Sequence, residues 1–320
     1  MADVLTQTAN LSVDQAAYDM YAWPPLRAEL YFDAVADVKP TRQDKPGSSV
    51  IFTQMTDMAV ASAPIAEATD VDAVALSDAQ VTVILNEYGN VAKTTAKLRG
   101  TSFVPLDPWV TNVVAYNAGI SIDTVARNVL QAGTNVRYVG AATSRATVTA
   151  TMTMGTGTPG GADQVRRAVA ELRTANVPTI GGSYVAFIHP ETSYDFRAGT
   201  GGANWRDPHT YSDPSNIWNG EIGMFESVRF MEVSRGPIFP DTGSPGTVDV
   251  YGTLVMGRQA LAKAWSITDG NGPTPRVFPT PIVDNLRRFM GMAWYWLGGY
   301  GIFRQAALRR IEAASSIGAN

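Results

Sequence analysis

The sequence predicts an α+β fold, on three observations. One stretch, residues 107–132, carries the signals of a single long helix from start to stop. The segments on both sides of it are mostly short runs with the alternation or the apolar continuity of strands. No unit recurs at a fixed period, which excludes a solenoid.

The 320 residues are enough for two domains, or for one core with elaborations. A chain this long buries roughly 75% of its unfolded surface and needs no staples. Cysteine is absent, which excludes disulfides, thiolate metal sites and cysteine nucleophiles. The net charge of −4 argues against a general nucleic-acid binder. Only five of the 25 basic residues are lysines, and arginine is the better partner in half-buried ion pairs. Charged residues make up 17% of the chain, against about 25% in ordinary domains, which fits a subunit whose surface is covered by partners and, equally, an ordinary neutral protein. The N-terminus has neither a basic nor an apolar signal region. No run of 18 apolar residues occurs, so no membrane span is expected; the nearest case, 289–303, is short and glycine-broken.

Residues 1–24 are small and polar, then aromatic, with Tyr18, Tyr21 and Trp23 ahead of two prolines. This reads as an extended arm whose rings need a surface to lie on. Residues 25–36 are expected to form a short helix on Leu26, Leu30 and Val35. From Pro46 the chain reads as a long hairpin: a strand at 48–55, a tip at 57–79 with few large hydrophobes, and a return with Val81, Val83 and Leu85 alternating. A hairpin whose far end has no core is marginal alone in water. It makes sense lying on another subunit; an ordinary mobile loop is the alternative.

The helix follows. Asp107 is placed as its N-cap, with Pro108 at the first helical position and Gly133 just past the end. Trp109, Val113, Tyr116, Ile120, Ile122, Val125, Val129 and Leu130 form its predicted apolar stripe. Gly119 costs about 1 kcal/mol against alanine, so a bend or restart is expected there, with Ser121 as a second cap.

Residues 146–154 alternate strictly and predict a half-exposed strand. A glycine turn comes next, then a helix over 162–177 with Val165, Val169 and Leu172 on one face, ended by Pro178. A buried strand ending at Pro190 is expected, then loop over 195–220 carrying Trp205, His209, Tyr211 and Trp218. Residues 220–235 read as turn, short segment and strand; 248–265 read as a strand leading into a small helix. At the end, two strands are expected to flank a turn at Gly298-Gly299-Tyr300-Gly301.

Catalytic and ligand motifs are scarce. Gly155, Gly157 and Gly160 have the spacing of a dinucleotide-binding turn. The strand before them alternates with threonine, however, and Pro159 removes a donor, so a plain turn is the better reading over a nucleotide-binding oxidoreductase. The two histidines, His189 and His209, are not at ligand spacing, and no carboxylate set completes a metal site. No cofactor is called for. The pairs Arg166-Arg167, Arg287-Arg288 and Arg309-Arg310 are expected on solvated faces or in intersubunit ion pairs rather than on phosphate.

Three passages bring a family into view: KPGSSVIF at 45–52, LSDAQVTVILNEYGNVAKTT at 76–95 and YNAGISIDTVARNVLQAGTNVRYVG at 116–140. With FIHPETSYDFR at 187–197 and GEIGMFESVRFMEVSR at 220–235, they resemble the major capsid proteins of tailed bacteriophages, in the N4-type family with the HK97-like fold. The resemblance implies an N-arm at 1–45, an E-loop at 46–98, a P-domain at 99–178 built on a spine helix at 107–132, an A-domain at 179–255, and a return to the P-domain sheet at 256–320. It implies a structural protein of the virion, not an enzyme. Copies would form hexamers and pentamers that close an icosahedral shell around double-stranded DNA held without sequence-specific contacts. Assembly would occur in the host bacterial cytoplasm with portal, scaffold and decoration proteins; the short arm points to a separate scaffold. An encapsulin-type compartment is the alternative on the same fold. Expected subunit contacts are Tyr18, Tyr21 and Trp23 on the arm, Phe52, Met55 and Ile65 on the E-loop, and Trp205, His209, Tyr211 and Trp218 on an A-domain loop.

Overall fold

The computed structural model describes residues 30–38, 47–62, 64–65, 67, 70, 73–102, 106–156, 158–198, 221–267, 272–282 and 284–318. Their strands form two larger sheets and one separate hairpin. The five-stranded sheet is built on β13 (Phe289–Ile302). Along β13 lie β4 (Asn86–Thr95) at Phe289–Gly298, β12 (Arg276–Pro279) at Met292–Tyr295 and β11 (Leu261–Trp265) at Gly298–Ile302. The short β1 (Asp37–Val38) adds in parallel to β11.

The seven-stranded sheet runs β5 (Val136–Tyr138), β14 (Leu308–Ala313), β10 (Val250–Met256), β6 (Tyr184–Ile188), β8 (Val228–Glu232) and β7 (Glu221–Phe225), with β9 (Ile238–Phe239) also paired to β10. The end of the chain therefore divides: β11 to β13 complete one sheet and β14 inserts into the other. Glu226 and Ser227 both have positive φ, the geometry of a tight hairpin turn between β7 and β8.

α2 (Leu106–Gln131) is one continuous helix of 26 residues, about 39 Å at ~1.5 Å per residue. It packs on β13 and reaches β4, β12 and β10, a beam in contact with both sheets. Three expectations about it need correction. Its buried face is Val114, Ala118, Ile122, Asp123, Ala126 and Leu130, and Trp109 and Val113 face out. Steps of four residues with two alanines set the helix close on its sheet, a pattern that the larger apolar side chains masked. Ser121 caps nothing new: its hydroxyl donates to the Asn117 carbonyl at 2.7 Å, inside the helix. Asp107 lies in the first turn, paired with Arg99 at 3.1 Å. Gly133 does stand beyond the end, but for close approach: a Cβ there would meet Leu308 Cδ2 at 2.7 Å.

A Cβ on Gly119 would meet only Leu30 Cδ1, at 2.8 Å, the far end of a partly exposed side chain. Gly119→Ala is therefore expected to leave stability unchanged or raise it by up to about 1 kcal/mol, the alanine-over-glycine preference of a helix. A thermal melt checks this; a loss of more than about 1 kcal/mol would mean that Leu30 cannot move.

α3 (Gly161–Thr174) buries Val165, Val169 and Leu172 as the periodicity predicts. Elsewhere local pattern misled. Residues 146–154 form a 3₁₀ turn and loop, because their threonines bond locally: Thr147 to the Ser144 turn, Thr149 to Thr151 at 3.1 Å, Thr153 to Thr156 at 2.9 Å. Within 30–36 only Asp33–Val35 are helical, in a 3₁₀ turn, and the anchor is fully buried Phe32. Pro190 opens a helix, α4 (Pro190–Ala198), where its missing N–H is harmless. Residues 261–265 are a strand, not a helix.

The expected turn at 298–301 is the interior of β13. Its glycines are there because another segment crosses it: a Cβ on Gly299 would lie 2.1 Å from the Ile84 carbonyl oxygen, and one on Gly301 would lie 2.8 Å from Val83 Cγ2.

Candidate interaction surface

The crossing segment is the separate hairpin, β2 (Ser49–Met55) with β3 (Asp78–Ile84), paired in register from Ser49↔Ile84 to Met55↔Asp78. Its alternation sorts two faces. Val50, Phe52, Val81 and Val83 turn inward on Ala262, Ala264 and Phe303, with the Phe52 and Phe303 rings 6.0 Å apart. This small cluster docks the base of the hairpin on the five-stranded sheet. The other face carries Ile51, Met55 and Ile84, all exposed. β4 leaves the hairpin at Asn86 for that sheet, so the projecting unit is shorter than 46–98.

Between β2 and β3 the described residues have no regular structure. Large apolar side chains there stand in the open: Val60 is 90% exposed, Ile65 72% and Met55, at the ladder's end, 79%. Met58, Val74 and Leu76 are exposed too. Scattered apolar residues on a surface are normal, but a file of them along one coreless projection is a candidate contact surface. Phe52 is placed otherwise than expected: at 4% exposure its ring serves the chain's own core.

A second apolar area lies at the start of α2. Trp109 is 45% exposed and Val113 faces out beside it. α1 (Ala96–Thr101) presents Leu98, and the start of β13 presents Phe289 and Met290. Hydrogen bonds fasten these pieces: Ala96 N–H donates to Arg288 O at 2.7 Å, and the Thr94 hydroxyl to Met290 O at 3.3 Å. Arg99 ties α1 to α2 through Asp107 and also reaches Met290 Sδ.

Several charged groups are paired inside the chain. Glu312, with no exposed side-chain surface, accepts from Arg145 at 2.6 and 2.9 Å and from Arg310 at 2.7 Å. Arg310 also donates to the Gln131 and Gly133 carbonyls, closing the C-terminus of α2. Burial works against the charge on Glu171, yet Arg137 and Arg309 together hold its carboxyl below the usual range. Of the arginine pairs, Arg166 meets Glu226 and Arg167 meets Asp163 on exposed faces, Arg288 meets Asp284, and Arg309 and Arg310 meet Glu171 and Glu312.

His189 directly follows β6, with its ring 5.1 Å from that of Tyr251. Burial, only partly opposed by Glu191, keeps it neutral more readily than usual. No grouping of His, Asp and Glu fit for a metal occurs among the described residues. The glycine turn at 155–160 follows no strand, so the strand-turn-helix of a dinucleotide site is absent. No described helix is long and apolar enough to cross a membrane. Of the expected contacts, Met55 and Ile65 lie on the exposed hairpin. Tyr18, Tyr21, Trp23, Trp205, His209, Tyr211 and Trp218 lie outside the described residues. The exposure of Trp109 and Val113 was not foreseen, because an apolar residue at helical spacing reads as core.

Comparison with known proteins gives one consistent result. The family model described as phage capsid protein matches residues 27–317. The capsid of Ralstonia phage GP4 superposes with a TM-score of 0.73 at 17% identity, covering 97% of this chain and 98% of that one. The cyanophage Pam1 capsid gives 0.72 at 14% identity, covering 99% and 100%. The cyanophage P-SCSP1u capsid gives 0.71 at 13%, covering 95% and 94%. No curated protein sequence matches.

Proposed function

Because the chain belongs to the phage capsid protein family, as a tailed-phage major capsid protein with the HK97-like α+β fold, we propose that its copies form hexamers and pentamers that close an icosahedral shell around double-stranded DNA. As a phage capsid protein it is a structural component of the virion and not an enzyme. The observation that carries the assembly reading is the hairpin: a coreless projection with exposed Met55, Ile65, Val60 and Ile84. Burying such side chains stabilises by about 25 cal/mol per Å² removed from water, and a neighbouring copy supplies the missing surface.

In this reading residues 1–45 are the N-arm and the β2–β3 hairpin is the E-loop. The five-stranded sheet with α2 is the P-domain, and the seven-stranded sheet, which β5 and β14 join from outside residues 179–255, is centred on the A-domain. The E-loop of one copy lies on the outward side of the next P-domain, where Trp109 and Val113 offer apolar area. The net charge of −4 suits a shell that confines DNA without gripping its phosphates. Portal, scaffold and decoration proteins would join assembly in the host cytoplasm, with no membrane involved.

Met55→Glu tests the contact. Met55 touches little of its own chain, so the subunit's stability should stay within about 0.5 kcal/mol. A carboxylate forced into an apolar interface should cut the yield of sedimenting particles by about tenfold or more. Particles at the normal yield would remove Met55 from the interface.

A further inference from the structure

We propose that residues 30–38 form a strap whose hold on the body is proton-linked through the buried carboxylate of Asp123. The strap has three anchors on three different parts of the fold. The Phe32 ring is fully buried 5.0 Å from Phe187 of β6, in the seven-stranded sheet. Asp33 receives Lys263 Nζ of β11 at 2.7 and 2.9 Å and the Tyr300 hydroxyl of β13, in the five-stranded sheet. The Phe32 N–H donates to Asp123 Oδ1 of α2 at 2.9 Å. Beyond these, Asp37 Oδ2 accepts from the Gln259 amide. The strap thus pins both sheets to the long helix, and it is where residues 1–29 join the described body.

Asp123 is the odd anchor. Its side chain is buried, and Oδ2 has no hydrogen bond among the described residues. The nearest cation, Arg235, stands 3.8 Å away and is itself engaged with Thr124 and with the Ile120 carbonyl. A buried charge with one oxygen unmatched is costly. The groups facing it are Asp33 from the strap, Arg235 from the segment after β8, Arg127 from its own helix and Tyr300 from β13, with Lys263 of β11 behind Asp33. Burial raises the Asp123 pKa; the Phe32 amide, Arg235 and the Asp33 amide oppose it, and the Asp33 charge adds to the rise.

The linkage has a definite sign. When the strap lifts, water reaches Asp123 and its pKa returns toward the ordinary carboxylate value. The docked state therefore binds the proton more tightly. Docking through Asp123 is strongest below the ordinary pKa and weakens as pH rises through the raised one.

Hydrogen–deuterium exchange of peptides covering residues 30–38 in the full-length subunit, corrected for intrinsic rates, tests this between pH 4 and 7.5. Relative to Asp123→Asn, which keeps an acceptor for Phe32 but does not titrate, the wild type should lose protection as pH rises, by up to about tenfold per pH unit for one linked proton. The comparison cancels any pH dependence that does not pass through Asp123. Lys263→Met supplies an independent reading: the strap should be less protected at every pH and should still lose protection as pH rises. A wild-type-to-variant ratio that is constant or increases with pH overturns the proposal. So does a flat profile in Lys263→Met.

Discussion

Replacing residues 57–76 by a two-residue Asn-Gly turn should leave a folded subunit that makes no shells. The expectation rests on where the hairpin's stability resides. The ladder is complete from Ser49↔Ile84 to Met55↔Asp78, and Thr56 N–H still donates to Ser77 O at 3.0 Å just beyond it. A primed two-residue turn fits that spacing. The inward cluster of Phe52, Val83, Ala264 and Phe303 is untouched. Closing a loop about tenfold shorter removes up to about 2 kcal/mol of entropic cost, so the melting temperature should hold or rise. What disappears is the exposed apolar file of Met58, Val60, Ile65, Val74 and Leu76. Circular dichroism and electron microscopy of the same preparation separate the two effects. Normal shells from this variant would mean that the projection is not what joins neighbours.

Glu312→Ala should be the most damaging single substitution within the subunit. Glu312 lies fully buried on β14, between Arg145 and Arg310. Removing it leaves two guanidiniums facing each other without an acid. Breaking a buried pair from one side typically costs about 3–5 kcal/mol. Arg310 also loses the partner that aims it at the carbonyls closing α2, and Arg145 stacks 3.3 Å over the Phe239 ring from the same place. A drop of roughly 6–10 °C in melting temperature is expected, at ~2 °C per kcal/mol for a chain of this size. A drop under about 2 °C would show that the arginines find other partners.

What was legible in the sequence was what local chemistry decides. The long helix announced itself by its length and its flanks, α3 by its apolar face, and the hairpin by alternation followed by a tip of small and polar residues. What was not legible depended on distant segments. The glycines at 298–301 look like a turn until Ile84 is seen to cross them. The run 261–265 has helix-forming composition, yet it is a strand because β1 and β13 border it. The threonines at 147–153 alternate like a strand, but their hydroxyls bond to their neighbours. On α2, the large residues Trp109 and Val113 outweighed Ala118 and Ala126 in the pattern, although the alanines are what let the helix approach its sheet. Asp123 was visible only as one acid within an apolar helix half; its meaning came from Phe32, 91 residues away.

Electron microscopy of the purified protein tests the assembly account most directly. Closed angular shells, or rings of five and six subunits, are the predicted result. A monodisperse monomer or dimer under those conditions would contradict it, and the exposed hairpin would then need another partner.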